Sequence, residues 1–425
     1  MTNLSHKVLK ILLCWLSVFW VSAASTVAGD WPAFRGPHGN GIADEDKAPL
    51  HWGPGSNVFW KASLPGPGNS SPIVSRGRVF LTCAENQGRK RNLYCFDRRT
   101  AQQFWVQTAE FPNVEPTYHS NPYCASTPVA DGSHVIVWHG SAGVFCYRFD
   151  GTKVWEKNLG EIRHDWGYAS SPILYRNMVI LNFGPGSRTF LCALDLKTGH
   201  LLWKLDESGG LDATDKRMVG SWTTPIVARV NHKDQILCSM PTRLIACDPK
   251  NGALLWFCEG LGDEKVDLVY ASPLICGNIG VAFTGWVNGP TIGFKLGGAG
   301  NVTASNRLWR EKHSQRIGSG VVVDGRVYIV NAGPGMAQCM ECATGEILWS
   351  ERLEGGESWG SVVMAGGRLY VTSRKGVTSV FRPDPQKLDL LAMNDLGEPS
   401  NATPAVSDGK IFLRTDSHLY CISGD

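Results

Sequence analysis

Three groups of side chains in this 425-residue sequence have types and spacing that chemistry could use. The first is Cys339-Met340-Glu341-Cys342, which has the gap of a metal or redox pair. No second Cys-x-x-Cys, no adjacent cysteine pair and no Cys-x-x-Cys-His haem attachment accompanies it, so no metal site is assigned. The second is His164-Asp165, an imidazole beside a carboxylate, with His119 as a candidate partner in proton transfer. Neighbours on an extended chain point opposite ways, which argues against a direct dyad. The third is a scatter of polar residues: Arg163, Arg217, Asp267, Arg316 and Glu357. They are expected to solvate the mouth of a funnel, and no catalytic residue is assigned.

What must position these groups is a repeated hairpin. Leu191-Cys192-Ala193-Leu194-Asp195-Leu196-Lys197-Thr198-Gly199-His200-Leu201-Leu202-Trp203 reads as two short strands joined by a turn. Asp195 can bond back onto the turn backbone, and Gly199 supplies its left-handed residue. The design recurs at Asp97…Trp105, Asp248…Trp256 and Glu341…Trp349, with the acidic residue at a constant distance before the tryptophan. A spacing kept while the intervening residues change marks a structural repeat. Related units end at Trp155 and Trp309, and Trp60 ends a fragment, Asn57–Lys61, that has no unit of its own. These tryptophans are expected to be packing plates between units, each removing roughly 150–250 Å² from water.

Each unit opens with a Ser/Thr-Pro element, or a glycine-rich equivalent, before a β-branched strand: Pro72, Pro128, Pro172, Pro225, Pro273, Gly320, Val362 and Pro404 mark eight openings. Proline is tolerated at a first strand position. The last unit stops one strand short at Tyr420-Cys421-Ile422, and the stray strand at 57–61 supplies what it lacks. The fold class that follows is all-β: an eight-bladed β-propeller of four-stranded antiparallel blades, closed by the N-terminal strand completing the C-terminal blade. One residue per blade, aligned on the openings, forms an inner ring: Asn69, Ala125, Ala169, Trp222, Tyr270, Ile317, Trp359 and Asn401. The ring mixes aromatics and amides, and with Arg316 and His164 beside it forms the candidate ligand-binding mouth.

Composition narrows the remaining choices. A net charge of +3, with no basic run beyond Arg89-Lys90-Arg91, excludes a nucleic-acid partner; that run is expected at a solvated hairpin tip. Lys7 and Lys10 precede the apolar run 11–21 and small residues up to Ala28, the pattern of a cleavable export signal over residues 1–28. The apolar run is too short for a membrane span of about 20 residues. Residues 29–56, rich in Gly and Pro, are expected to lie extended over the body with Trp31 and Phe34 as anchors, and 57–425 to form the propeller. Most cysteines fall in repeat strands, where they serve as small hydrophobes; Cys83 with Cys95 is the best disulfide candidate.

The hairpin LCALDLKTGHLLW, its relatives at Trp105, Trp256 and Trp349, and the Ser-Ser-Pro openings at Pro72 and Pro172 resemble the pyrroloquinoline quinone (PQQ) repeat of quinoprotein-like β-propellers. The resemblance covers essentially all of the chain after residue 28 and implies eight blades with tryptophans docked between them. Some members of that family are PQQ-dependent periplasmic alcohol or sugar dehydrogenases; others bind no cofactor and act as scaffolds. The dehydrogenases clamp the quinone under adjacent cysteines and hold Ca²⁺ with carboxylate and amide oxygens, neither of which has a counterpart here. The expectation is therefore an exported monomeric scaffold without cofactor, offering its funnel to a protein or an extended ligand. The alternatives are a PQQ- and Ca²⁺-dependent dehydrogenase with a degenerate site, and a carbohydrate binder stacking sugars on Trp222, Tyr270 and Trp359.

Overall fold

A computed structural model describes residues 29–185, 189–207, 218–263, 266–285, 289–313, 317–331, 333 and 335–424. The expected export signal, and Arg217 and Arg316 among the expected mouth residues, lie outside these. Eight antiparallel sheets built from consecutive strands follow one another along the chain. Blade 1 comprises Ile73–Ser75, Arg78–Glu85, Lys90–Asp97 and Gln103–Glu110, and blades 2 to 7 repeat the order. Blade 8 has Ala405–Ser407, Lys410–Arg414 and His418–Ser423, and takes Val58–Ser63 as its outer strand. That closing strand runs antiparallel to His418–Ser423, with Trp60 opposite Cys421. Asn57–Lys61 is thus the missing fourth strand, and the ring has no free edge at its seam.

The core lies between blades rather than within one layer. Ile73, Phe80 and Leu93 of blade 1 meet Val135, Val137 and Tyr147 of blade 2, and comparable clusters fill the other junctions. Period-2 alternation produces this: each strand sends one set of side chains to the preceding blade and the other to the next. The cluster at the seam joins blades 7, 8 and 1 and takes in Trp31 and Trp52 from the N-terminal segment.

That segment is a strap across one end of the ring. Trp31 bridges Val74 of blade 1 by two backbone bonds of 2.8 and 2.9 Å, and the Pro32 carbonyl accepts from Ala130 of blade 2. The buried Arg35 reaches the Gly320 carbonyl of blade 6 through Nη2, and Ile42 pairs with Met364 of blade 7. The strap thus ties blades on opposite sides of the axis.

Each unit's tryptophan stands opposite a small residue: Cys95 for Trp105, Cys146 for Trp155, Ala193 for Trp203, Ala246 for Trp256, Gly293 for Trp309 and Cys339 for Trp349. Its indole N–H then reaches a carbonyl of the next blade, Phe149 for Trp105, Leu196 for Trp155, Pro249 for Trp203, Cys342 for Trp309 and Asp384 for Trp349, at 2.8–3.0 Å. Trp60 reaches Arg98 in the same way. Trp256 differs, donating to Gln235 Oε1 within its own blade. The neighbouring hairpin of blade 5 is lengthened around Gly300–Asn301, which pairs instead with Trp256 and Phe257.

Two expectations need correction. Cys83 and Cys95 do not pair: Cys83 sits opposite Asn92 and Cys95 opposite Phe80, three residues apart along the ladder. An odd separation sends them to opposite faces, Cys83 into the seam cluster and Cys95 into the junction of blades 1 and 2. Nor is Arg91 at a solvated tip. It is fully buried, with Nη1 on Glu115 at 3.3 Å and Nε on the Gly88 carbonyl, beneath the rings of Phe111 and Tyr123.

Candidate functional site

The Ser/Thr residues that open the inner strands build the wall of a central channel. The Ser71 N–H donates to Thr127 Oγ1, Thr127 N–H to Ser171 Oγ and Ser171 N–H to Thr224 Oγ1. Ser272 donates likewise to Ser319, Ser319 to Ser361, Ser361 to Thr403, and Thr403 back to Ser71. All seven bonds are 2.9–3.0 Å, and the remaining junction is made by Ser272 Oγ donating to the Thr224 carbonyl at 3.0 Å. A hydroxyl on a short side chain is needed at each place, because it must satisfy a buried N–H of the adjacent blade. The result is a closed belt of hydrogen bonds around the axis.

The channel holds a cavity of about 550 Å³. Hydroxyl residues of the belt line it, together with Phe34 of the strap. All eight residues of the ring read from the sequence line it, joined by Tyr118, Ser120, Asn121 and Trp166. No charged side chain lines it among the described residues. Charges gather outside, where a second hollow of about 470 Å³ shares Asn69, Ser120 and Asn401 with the first and adds His119, Glu357, Arg374, Lys375 and Asp416. Arg374 pairs with Glu357 at 2.9 Å and lies 4.8 Å over the Trp359 ring.

Individual residues fare differently from their expected roles. Asn69 Nδ2 donates to the Ser120 carbonyl and to Asn121 Oδ1, fixing its amide at the mouth. Asn401 shares the Ser120 carbonyl at 3.5 Å and leaves its own buried Oδ1 without a partner. Trp222 is a wall rather than a platform: it is 6% exposed, its N–H is spent on the Gly167 carbonyl, and Tyr270 and Trp166 pack at 5.0 and 6.1 Å. The alternative reading, sugars stacking on Trp222, would find little of that ring exposed. Trp359 and Tyr118 keep exposed surface at the mouth.

His164 stands edge-on to Trp222 at 4.9 Å, and its Nδ1 accepts the Trp166 N–H at 3.1 Å. Burial lowers its pKa, so the ring is neutral at pH 7 and helps shape the aromatic wall. Asp165 is exposed beside it, and the imidazole lone pair that a dyad would use is occupied by the turn. The Cys339/Cys342 pair likewise separates: Cys339 faces blade 7 and Cys342 faces blade 5. Among the described residues no group of His, Cys, Asp or Glu has the arrangement of a metal site.

PQQ is a tricarboxylate bound together with Ca²⁺, and Ca²⁺ takes about 6–8 oxygen ligands, carboxylates among them. The described lining offers neither a cation for the quinone nor a carboxylate for the metal, so it does not fit that group. What the arrangement can do is receive an uncharged ligand by apolar contact and amide hydrogen bonding. Sequence reasoning missed Tyr118, Asn121, Trp166 and Phe34, which reach the cavity from loops and the strap. No periodic pattern marks those positions.

Comparison with known proteins places the chain. No curated protein matches its sequence. Among solved structures, BamB from Moraxella catarrhalis aligns over 86% of this chain and 97% of its own, with 13% identity and a TM-score of 0.58. The quinohemoprotein alcohol dehydrogenase from Comamonas testosteroni aligns over 94% and 82%, with 11% identity and a TM-score of 0.67. A europium-containing methanol dehydrogenase aligns over 93% and 98%, with 11% identity and a TM-score of 0.55. At such identities these likenesses establish the fold alone, shared by BamB and by dehydrogenases. Among the described residues no helix is long and apolar enough to cross a membrane. A family model described as outer membrane protein assembly factor BamB matches residues 89–259, 299–391 and 343–425, more than half of the sequence, and the chain belongs to that PQQ-repeat family.

Proposed function

We propose that this protein is an exported, non-catalytic binding scaffold that receives an uncharged stretch of an extended polypeptide at the mouth of its channel. The observation that carries this reading is the lining. A cavity of about 550 Å³ is walled by amides, hydroxyls and aromatic rings, with the described charges confined to the rim. An ionised group entering it would lose hydration without a counter-charge, a cost of several kcal/mol, whereas a peptide N–H would find an acceptor in the buried, unpartnered Asn401 Oδ1. Export fits the basic and apolar pattern of residues 1–28.

The test pairs two measurements on the purified mature chain. A photo-crosslinking amino acid at position 69, at the mouth, should form adducts with an envelope polypeptide. The same probe at the exposed Arg229, on an inner strand of blade 4 away from the mouth, should form none. Titration with PQQ and Ca²⁺ should leave the quinone absorbance unsaturated. Equal labelling at both positions, or saturable quinone binding with dye-linked alcohol oxidation, would overturn the proposal.

A further inference from the structure

Twelve cysteines lie among the described residues, and Cys276 is the one that is not buried. It ends the inner strand Leu274–Cys276 of blade 5. It packs on the cluster that fills the junction of blades 5 and 6, to which Cys342, following the strand Met336–Glu341 of blade 6, belongs, and its side chain hydrogen-bonds with that of Cys342. The repeat itself brings the two positions together. Arg98 follows Asp97 in blade 1 as Cys342 follows Glu341 in blade 6, and Ser407 ends the inner strand of blade 8 as Cys276 ends that of blade 5. At the seam this equivalent pair is in direct contact, Arg98 Nη1 donating to Ser407 Oγ at 3.1 Å. At the 5–6 junction the ring has placed two thiols instead.

We propose that Cys276 and Cys342 are a redox pair that closes into an inter-blade disulfide in an oxidising compartment, stapling blade 5 to blade 6. The oxidant is a small-molecule or protein disulfide, and oxidised glutathione represents the class. Cys276, the accessible partner, attacks as thiolate; the oxidant's S–S bond breaks, a mixed disulfide forms and one glutathione thiolate departs. Cys342 then gives up its proton to water and attacks the Cys276 sulfur, expelling the second glutathione. The two cysteines lose two electrons and two protons in total, and the oxidant's sulfurs accept them. Burial, followed by the hydrogen bond with Cys276, raises the Cys342 pKa, which lowers its thiolate fraction and makes the second step the slower one.

Cys339, close to Cys342 in sequence, provides the control, because it faces the opposite junction under Trp349. The reduced mature chain is incubated with oxidised glutathione, blocked with N-ethylmaleimide, digested and mapped by mass spectrometry. The expected product is a cross-linked pair of peptides carrying Cys276 and Cys342, lighter by the two lost hydrogens. It should be absent from Cys276→Ser, retained in Cys339→Ala, and accompanied by a higher Tm that dithiothreitol reverses. Cys276 trapped as a stable glutathione adduct with Cys342 alkylated, both cysteines alkylated, or a Cys276–Cys339 link would each overturn the pairing. Cys276 is partly exposed, so the serine variant tests the pairing without a buried substitution.

Discussion

At the residue scale, burial of polar groups is more informative here than any motif. Arg91 and Glu115 are enclosed between blades 1 and 2, where Glu115 Oε2 also accepts the Ser141 N–H and the His139 carbonyl accepts from Arg91. This pins the loop that carries Tyr118, Ser120 and Asn121 to the mouth, so the ion pair acts on the site through geometry. His139 beside it is fully buried, and burial, with help from the Arg91 charge, pushes its pKa down to about 3. The sign of the effect follows. Below pH 6.5 the unfolded chain takes up a proton that native His139 refuses, so its contribution is neutral at pH 7 and destabilising as the pH falls towards 3. Between pH 7 and pH 5 this linkage amounts to about 2 kcal/mol. His139→Gln should flatten the pH dependence of urea-unfolding free energy over that interval by about that amount. His164 and His313, also held below the usual value by burial, remain in both proteins and cancel in the comparison. Parallel curves for the two proteins would show that His139 does not titrate as described.

At the element scale, the repeat is a coupling of three residue types. Tryptophan needs a small residue across the strand pair, a carbonyl in the next blade and a turn it can lie on. The turn glycines serve the last need: a Cβ at Gly199 would lie 2.6 Å from Trp155, and one at Gly252 2.5 Å from Trp203. Both also have positive φ, as does Gly77, whose Cβ would meet nothing within 4 Å. Gly77→Ala should therefore cost only the left-handed backbone, about 1–2 kcal/mol. Gly199→Ala should cost about 2–5 kcal/mol, because the indole must also move. Urea midpoints at equal m-values measure both, and equal losses would refute the docking account. This coupling explains what was readable beforehand. Asp195, Thr198 and Gly199 bond within one turn, and Trp203 pairs with Ala193 across the same hairpin, so their spacing survives in the sequence; Thr198 even holds the Asp195 carboxyl below its usual pKa through its hydroxyl. The ring from Asn69 to Asn401 was readable for the same reason, being one position per repeat. Burial of Arg91 was not, since its partner lies 24 residues away in an irregular loop. The hydroxyl belt was half readable: Ser71 and Thr127 were visible as strand openers, but their bond spans 56 residues and two blades.

At the scale of the whole molecule, the seam explains the unit that breaks the pattern. Blade 7 has Ala392 opposite Val380 where the seven other blades carry tryptophan opposite Cys, Ala or Gly. A tryptophan there would dock on the turn joining the third and fourth strands of blade 8. Those strands are His418–Ser423 and Val58–Ser63, so no turn links them. The strap substitutes from outside. Trp52 stacks on Tyr370 of blade 7 at 6.4 Å and 18°, its backbone N–H bonds Asn394, and Tyr370 and Asn394 hold the Pro49 and Leu50 carbonyls. The indole missing from the repeat is thus supplied by the same N-terminal region that supplies the closing strand. Trp52→Ala should then cost about 3–5 kcal/mol, comparable to Trp203→Ala, since each removes a buried indole from an inter-blade cluster. The two losses should differ in where they are felt. Local opening follows the weakest cooperative unit, so Trp52→Ala should speed amide hydrogen exchange in Val58–Ser63 and His418–Ser423 while blades 3 and 4 stay protected. Trp203→Ala should do the reverse. Uniform acceleration in both variants would mean that the ring opens as a single unit, and that the strap does not govern its seam.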